Sequence, residues 1–187
     1  SCPCAFLIST PVGMVSAITS ATRNGVIIKG SSYVEEMKSI KAVIFDKTGT
    51  LTEGKLEVSG IELLHENYTK ESIVKIAASL EFQSSHPIAQ AVVNYADEND
   101  IIFDAIEEFK NVPGKGIVAN INGEQFYAAN ESLIEGSNFD ISRDDINKYS
   151  GEGKSLIFVG NAEKVLGIIT VSDKIRDNAV EVIEDLK

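Results

Sequence analysis

The 187-residue sequence predicts an α/β chain in which a partial parallel unit is interrupted by an α+β insertion built on an antiparallel sheet flanked by helices. Three observations predict it. Lys41-Ala42-Val43-Ile44-Phe45 is a short apolar, β-branched run that stops at a charged turn, the pattern of a buried parallel strand with a functional loop at its carboxyl end. Two helical segments follow. After them come alternating apolar and polar stretches around Asn122-Gly123, the signal of an antiparallel hairpin.

Taken in order, residues 5–22 read as a helix disturbed by Pro3 and Pro11. The first charge in the chain is Arg23, and an uncharged apolar stretch followed by Arg and Lys resembles a membrane helix emerging on the cytoplasmic side. The stretch starts with Ser1 and has no basic leader, so a signal peptide does not fit. Seven Ser and Thr residues among the first 22 keep a buried core helix open as the alternative. Residues 33–39 are expected to form a second short helix. Helices are expected over Lys70–Glu81 and Pro87–Glu98, with Pro87 suited to a first helical position. Strands are expected over Glu107–Val112, 116–122 and Glu124–Ala129. Ser142 is expected to cap a short helix through Tyr149, with Gly151-Glu152-Gly153 expected to interrupt it. Strands over 155–160 and 164–171 lead to a closing helix over 176–186.

Composition narrows the class. Hydrophobic residues make up 43% and charged residues 24%, which suits a globular chain and excludes a disordered one. The formal net charge of −11 disfavours binding to a nucleic-acid backbone. Up to Lys41 there are four basic residues against two acidic, so the negative excess lies downstream. Two cysteines one residue apart cannot staple a secreted scaffold, and a reduced, cytosol-facing body is the expectation.

The strongest chemical signal is Asp46-Lys47-Thr48-Gly49-Thr50-Leu51-Thr52. An aspartate at a strand's carboxyl end can attack a phosphoryl group once Mg²⁺ offsets the repulsion between anions. The lysine and hydroxyls beside it can hold phosphate oxygens, and Gly49 lets the backbone turn back toward them. The plain alternative is a solvated turn with Asp and Gly in turn positions.

This run resembles the phosphorylation motif of the P-type cation-pumping ATPases. The resemblance implies a partial haloacid-dehalogenase-like phosphorylation domain in which Asp46 is the residue phosphorylated, with Lys47 and Thr48 beside it. It further implies that the Asp46 carboxylate and the Thr48 carbonyl hold Mg²⁺, and that Asp173 and Arg176 form the hinge where the chain returns to that domain. By spacing alone, those two residues are an ordinary helix start with a charge pair.

The second signal is Cys2-Pro3-Cys4, followed by Pro11. Two thiolates suit Zn²⁺, Cd²⁺ or Cu⁺, and a proline between them frees backbone carbonyls. A redox pair or two buried thiols are the alternatives. Placed some forty residues before the aspartate motif, the pair resembles the membrane site of heavy-metal P-type ATPases. Residues 7–18 are similar to the zinc/cadmium/lead branch. Thiolates by themselves do not separate Zn²⁺ from Cu⁺.

The third signal is distributed. Glu81, Ser85-His86-Pro87, Gly114-Lys115-Gly116 and Asn130 are similar in order and spacing to the nucleotide-binding pattern of the same pumps. His86 can stack on adenine or hydrogen-bond it, Gly114 and Gly116 admit backbone to phosphates, and Glu81 and Asn130 can read the adenine edge. Each has a structural alternative: a helix start, a turn, a cap. The sequence departs from the family pattern at Ser85, where Glu is commoner, and at Ala129, where Gly usually precedes the asparagine. Lys154 is a further candidate for phosphate contact.

These resemblances imply four parts: 1–24, the cytoplasmic half of a transmembrane helix with the metal site; 25–64, the first part of a phosphorylation domain; 65–160, a nucleotide-binding domain; and 161–187, the return. The expected activity is ATP-driven export of Zn²⁺, Cd²⁺ or Pb²⁺ through an aspartyl-phosphate. Its cofactors are ATP and Mg²⁺, and its partners are the remaining membrane and actuator domains of one membrane-integral polypeptide. The Thr-Gly-Glu, Thr-Gly-Asp and Gly-Asp-Gly motifs of such pumps are not in this sequence, so turnover by this segment alone is not expected. A copper pump is the runner-up. A soluble dehalogenase-like phosphatase or a non-catalytic nucleotide-binding module is the alternative of another class. Such a phosphatase usually carries an acid/base aspartate two residues after its nucleophile, where this sequence has Thr48.

Overall fold

The computed structural model describes residues 4–135, 141, 143–151 and 153–186. Cys2, Pro3, Ser142 and Glu152 lie outside the described residues. The chain divides into two compact units, Ser1–Phe45 and Asp46–Lys187.

The first unit contains α1 (Cys4–Arg23) and α2 (Ser31–Met37). Pro11 lies inside α1, and Thr19 and Thr22 donate to the carbonyls of Val15 and Ile18 one turn earlier. Leu7, Ile8, Val12 and Val15 are exposed. Among the described residues no helix is long and apolar enough to cross a membrane. The strand expected at residues 41–45 is not formed. Ile44 is 96% exposed, and no strand pairs with this run. A parallel strand acquires its ladder from a neighbour reached by a crossover, and among the described residues every strand pair is antiparallel.

The second unit is a six-stranded sheet in the order β1-β6-β5-β4-β3-β2. Its strands are β1 (Thr52–Leu63), β2 (Glu107–Val112), β3 (Gly116–Ile121), β4 (Glu124–Ala129), β5 (Lys154–Asn161) and β6 (Val165–Ile175). The β3–β4 hairpin turns at Asn122 and Gly123, both with positive φ, 53° and 83°, as the Asn-Gly signal requires. Helices α3 (Lys70–Glu81) and α4 (Pro87–Glu98) cover one face. There Ile73, Val74, Leu80 and Val92 pack on Ile117, Val159 and Leu166. The short α5 (Glu131–Glu135) and α6 (Arg143–Tyr149) cover the other, where Ile134 and Ile146 join Tyr127, Phe158 and Ile168. Strands β5 and β6 are therefore buried on both sides, which explains their nearly continuous apolar runs. Leu166 is an extra residue in the β5–β6 register, which passes from Val159↔Gly167 to Gly160↔Val165. Across the bulge the alternation changes phase, so that Leu166 enters one core and Ile168, two residues on, the other.

Helix starts follow local chemistry. At α3, Thr69 Oγ1 accepts from the Ser72 amide at 3.1 Å and Ser72 Oγ accepts from the Thr69 amide at 2.9 Å, a reciprocal cap. At α4, Pro87 follows His86, whose Nδ1 accepts from the Ile88 amide at 3.3 Å. The closing helix α7 covers only Ala179–Asp185, because β6 continues to Ile175, beyond the end at 171 that the sequence suggests. The sheet also runs past both ends of the 65–160 segment, since β1 precedes it and β6 follows it.

Candidate functional site

Two groups of sequence-predicted residues come together, each on its own part of the second unit. The first is a cleft of about 370 Å³ lined by Glu81, His86, Gly114, Gly116 and Asn130, with Lys115 among its other walls. Glu81 is the last residue of α3 and His86 caps α4, so the α3–α4 connection brings both to one rim. Because the His86 Nδ1 is an acceptor in the cap, Nε2 carries the proton in the neutral ring. Burial raises the Glu81 carboxyl from an ordinary 4.5 to about 7, and a hydrogen bond with Ser84 partly opposes the rise.

The opposite rim is the β2–β3 turn. Gly114 has φ +70°, a conformation that disfavours side chains. Gly116 is more constrained: at φ +140°, an added Cβ would lie 2.6 Å from Ala129 Cα and collide with the Ala128 carbonyl. Asn130 follows β4 and ties this turn down. Its Nδ2 donates to the Gly114 carbonyl at 2.8 Å, and its amide donates to the Lys115 carbonyl at 2.9 Å. Its Oδ1 accepts from the Ser132 amide at 3.0 Å, capping α5. The asparagine thus shapes the cleft wall and caps a helix together. One Nδ2 proton remains for a ligand.

The second group is the loop 46–52. Asp46, Lys47 and Thr48 are exposed, and Gly49 turns the chain at φ +78°. The loop is held from β6 and the residues just after it. The buried Thr52 hydroxyl donates to Asp173 Oδ2 at 2.6 Å, accepts from the Gly49 amide at 3.1 Å, and lies 3.0 Å from the Lys47 carbonyl. Arg176 donates from its amide to the Leu51 carbonyl at 2.9 Å, from Nε to the Thr50 carbonyl at 3.0 Å, and from Nη2 to the Gly49 carbonyl at 3.3 Å. Asp173 and Arg176, which spacing alone would make a local charge pair, each reach the loop separately. Thr52 was not singled out by sequence reasoning, although it closes the motif.

Among the described residues, no group of three or more His, Cys, Asp or Glu side chains is gathered to hold a metal. The Asp46 carboxylate and the Thr48 carbonyl are hard oxygen donors, the chemistry that suits Mg²⁺, an ion that keeps several of its waters. Cys2 lies outside the described residues. Cys4 opens α1.

The haloacid dehalogenase-like hydrolase profile matches residues 40–187, and the chain belongs to that family. Its similarity extends further, over the whole sequence, to P-type ATPases that carry heavy metals. The chain is 38% identical over 191 residues to the probable cadmium-transporting ATPase of Staphylococcus aureus (strain MRSA252), covering 99% of this chain and 26% of that protein. It is 34% identical over 188 residues to the copper-exporting P-type ATPase B of Archaeoglobus fulgidus, covering 100% of this chain and 27% of that one. The crystal structure of a zinc-transporting PIB-type ATPase in an E2.Pi state matches with a TM-score of 0.84 at 33% identity, covering 99% of this chain and 30% of that chain. The chain spans about a quarter of the length of the curated relatives it matches.

Proposed function

We propose that this chain is the ATP-binding and phosphorylation segment of a membrane-integral pump that exports Zn²⁺ or Cd²⁺. The observation that carries the proposal is the loop 46–52, an exposed aspartate on a turn whose backbone is fastened by Arg176 and whose last hydroxyl is fastened by Asp173. ATP occupies the cleft of Glu81, His86, Gly114, Gly116 and Asn130, with the nucleotide-binding part centred on residues 65–160. Residues 25–64 and 161–187 belong to the phosphorylation domain, and residues 1–24 to a membrane helix. An Asp46 carboxylate oxygen attacks the γ-phosphorus; the bond to the β,γ-bridging oxygen breaks and ADP leaves. Lys47 and Thr48 steady the phosphoryl oxygens. When bound at the Asp46 carboxylate and the Thr48 carbonyl, Mg²⁺ supplies charge neutralisation. Asp173 and Arg176 act as the hinge. Cys2 and Cys4 are the thiolate ligands of the transported ion, and the remaining membrane and actuator domains are partners within the same polypeptide.

Zinc or cadmium is favoured over copper by the resemblance of residues 7–18 and by the names of the relative at 38% identity and of the matched zinc-transporting structure. The test is acid-quenched labelling of the full-length protein with γ-labelled ATP in the presence of Zn²⁺, Cd²⁺ or Cu⁺. Label should depend on Asp46, vanish in Asp46→Asn, and respond to Zn²⁺ or Cd²⁺. Cys2→Ser or Cys4→Ser should remove the metal response, because a hydroxyl is a far poorer ligand for these ions than a thiolate. Stimulation by Cu⁺ alone would assign the protein to the copper exporters. The 187-residue chain alone should bind ATP without appreciable labelling.

A further inference from the structure

Several glycines of the second unit have positive φ, and they fall into two kinds. At Gly49, Gly114 and Gly123, an added Cβ would meet nothing within 4 Å, so backbone conformation alone accounts for the residue. Gly153 differs. At φ +74°, its added Cβ would collide with Lys47 Nζ and lie 3.4 Å from Lys47 Cε. The lysine of the aspartate motif therefore lies over the bare α-carbon of a glycine far along the chain.

The setting of Gly153 is specific. Its turn is closed by the Lys154 amide donating to the Gly151 carbonyl at 3.0 Å, and it leads directly into β5. There Lys154 pairs with Ser172, the neighbour of Asp173. Lys47, Gly153, Lys154 and Asp173 line one cavity of about 690 Å³. Asp173 uses Oδ2 for Thr52, and its buried Oδ1 has no hydrogen-bond partner among the described residues. The start of β5, the end of β6 and the motif loop thus meet around the Lys47 side chain.

We propose that Gly153 is a positioning residue for Lys47: the missing side chain leaves the space the ammonium occupies, and any side chain at 153 displaces it. The assignment rests on the proposed function, in which Lys47 steadies the transferred phosphoryl group. A lysine ammonium is a compact charge on a flexible stem, so where it rests is set by the surfaces that accept it. A displacement of about 1 Å at a phosphoryl-transfer site costs a large factor in rate.

Strain and collision can be separated by choice of side chain. Asparagine tolerates positive φ better than alanine does but is larger. If backbone strain alone mattered, Gly153→Asn would be milder than Gly153→Ala; if Lys47 is displaced, Gly153→Asn is the worse. In the full-length protein, Gly153→Asn should slow Asp46 labelling from γ-labelled ATP at saturating nucleotide by on the order of tenfold, with the KM for ATP essentially unchanged. In a Lys47→Ala background, the same substitution should cost nothing further. Equal losses in both backgrounds, or Gly153→Ala worse than Gly153→Asn, would overturn the assignment. Labelling that survives Asp46→Asn would instead overturn the functional reading. The glycine would then be judged on thermal unfolding of the 187-residue chain, where Gly153→Asn must lower the midpoint more with Lys47 present than with Lys47→Ala, the remainder being backbone strain.

Discussion

Thr52 and Asp173 are separated by 121 positions in sequence and joined by a hydrogen bond of 2.6 Å, from the threonine hydroxyl to Asp173 Oδ2. Both belong to strands that pair directly, β1 and β6. The same hydroxyl accepts from the Gly49 amide, so the end of the motif loop is fixed to the sheet edge through one oxygen.

Thr52→Val should therefore remove the one hydrogen-bond partner that the Asp173 carboxylate has among the described residues, with Oδ1 already unpartnered, and lower stability by about 2 kcal/mol, the usual scale for a charge-assisted hydrogen bond. Asp173→Asn retains an acceptor for the hydroxyl and should cost less. Urea unfolding of the two variants checks the ordering.

Glu81 makes stability depend on pH. Its carboxyl sits at about 7 when folded against an ordinary 4.5, so between those values the folded chain holds a proton that the unfolded chain has released. The contribution is fully present below pH 4.5 and is lost as the pH rises through 7. Comparing urea midpoints at pH 5.5 and 8, wild type should be the more stable at the lower pH. In Glu81→Gln this difference should shrink by an amount on the order of 2 kcal/mol.

His86 has two separable duties. His86→Ala removes both the α4 cap and the cleft contact, and should weaken ATP or ADP binding by about 1–2 kcal/mol, the loss typical of a buried polar contact. His86→Asn supplies another good capping side chain. It should restore the melting temperature without restoring affinity, which calorimetry and thermal unfolding measure independently.

Gly116→Ala should be among the most damaging single-methyl additions in the chain. The new carbon meets the Ala128 carbonyl and Ala129 Cα across the β3–β4 ladder, and the φ of +140° is unfavourable for alanine. A loss of roughly 2 kcal/mol or more in stability is expected, with weaker nucleotide binding, since clash and backbone strain act together. Gly123→Ala, at a turn with open space around it, should cost only the conformational part.

What the sequence makes legible follows from how local each signal is. Lys70–Glu81 and Pro87–Glu98 carry their own caps, and both helices form at those boundaries. Asn122-Gly123 dictates its own turn. Strand β1 was not foreseen, although Leu56, Val58 and Ile61 turn toward the α3–α4 core. Gly54 and Gly60 blur its alternation, and a register shift between Val58 and Gly60 changes its phase midway. The apolar run at 41–45 promised a strand, yet a strand exists only with a partner. In the site, Glu81, His86, Gly114, Gly116 and Asn130 could be gathered from their pattern. The fastening of the loop could not: Thr52, Asp173 and Arg176 act through a fold that joins the two ends of the unit.

Arg176 holds the motif loop through three carbonyl oxygens and touches none of its side chains in doing so. Such a grip is blind to sequence. A residue presents the same oxygen whatever it carries beyond Cα, so outside Gly49, whose positive φ needs glycine, the side chains at 50 and 51 are not needed for this grip. Mutational tolerance there should consequently report chemistry rather than architecture: a replacement that folds normally and still abolishes labelling identifies a group that meets the phosphate, with its anchorage undisturbed.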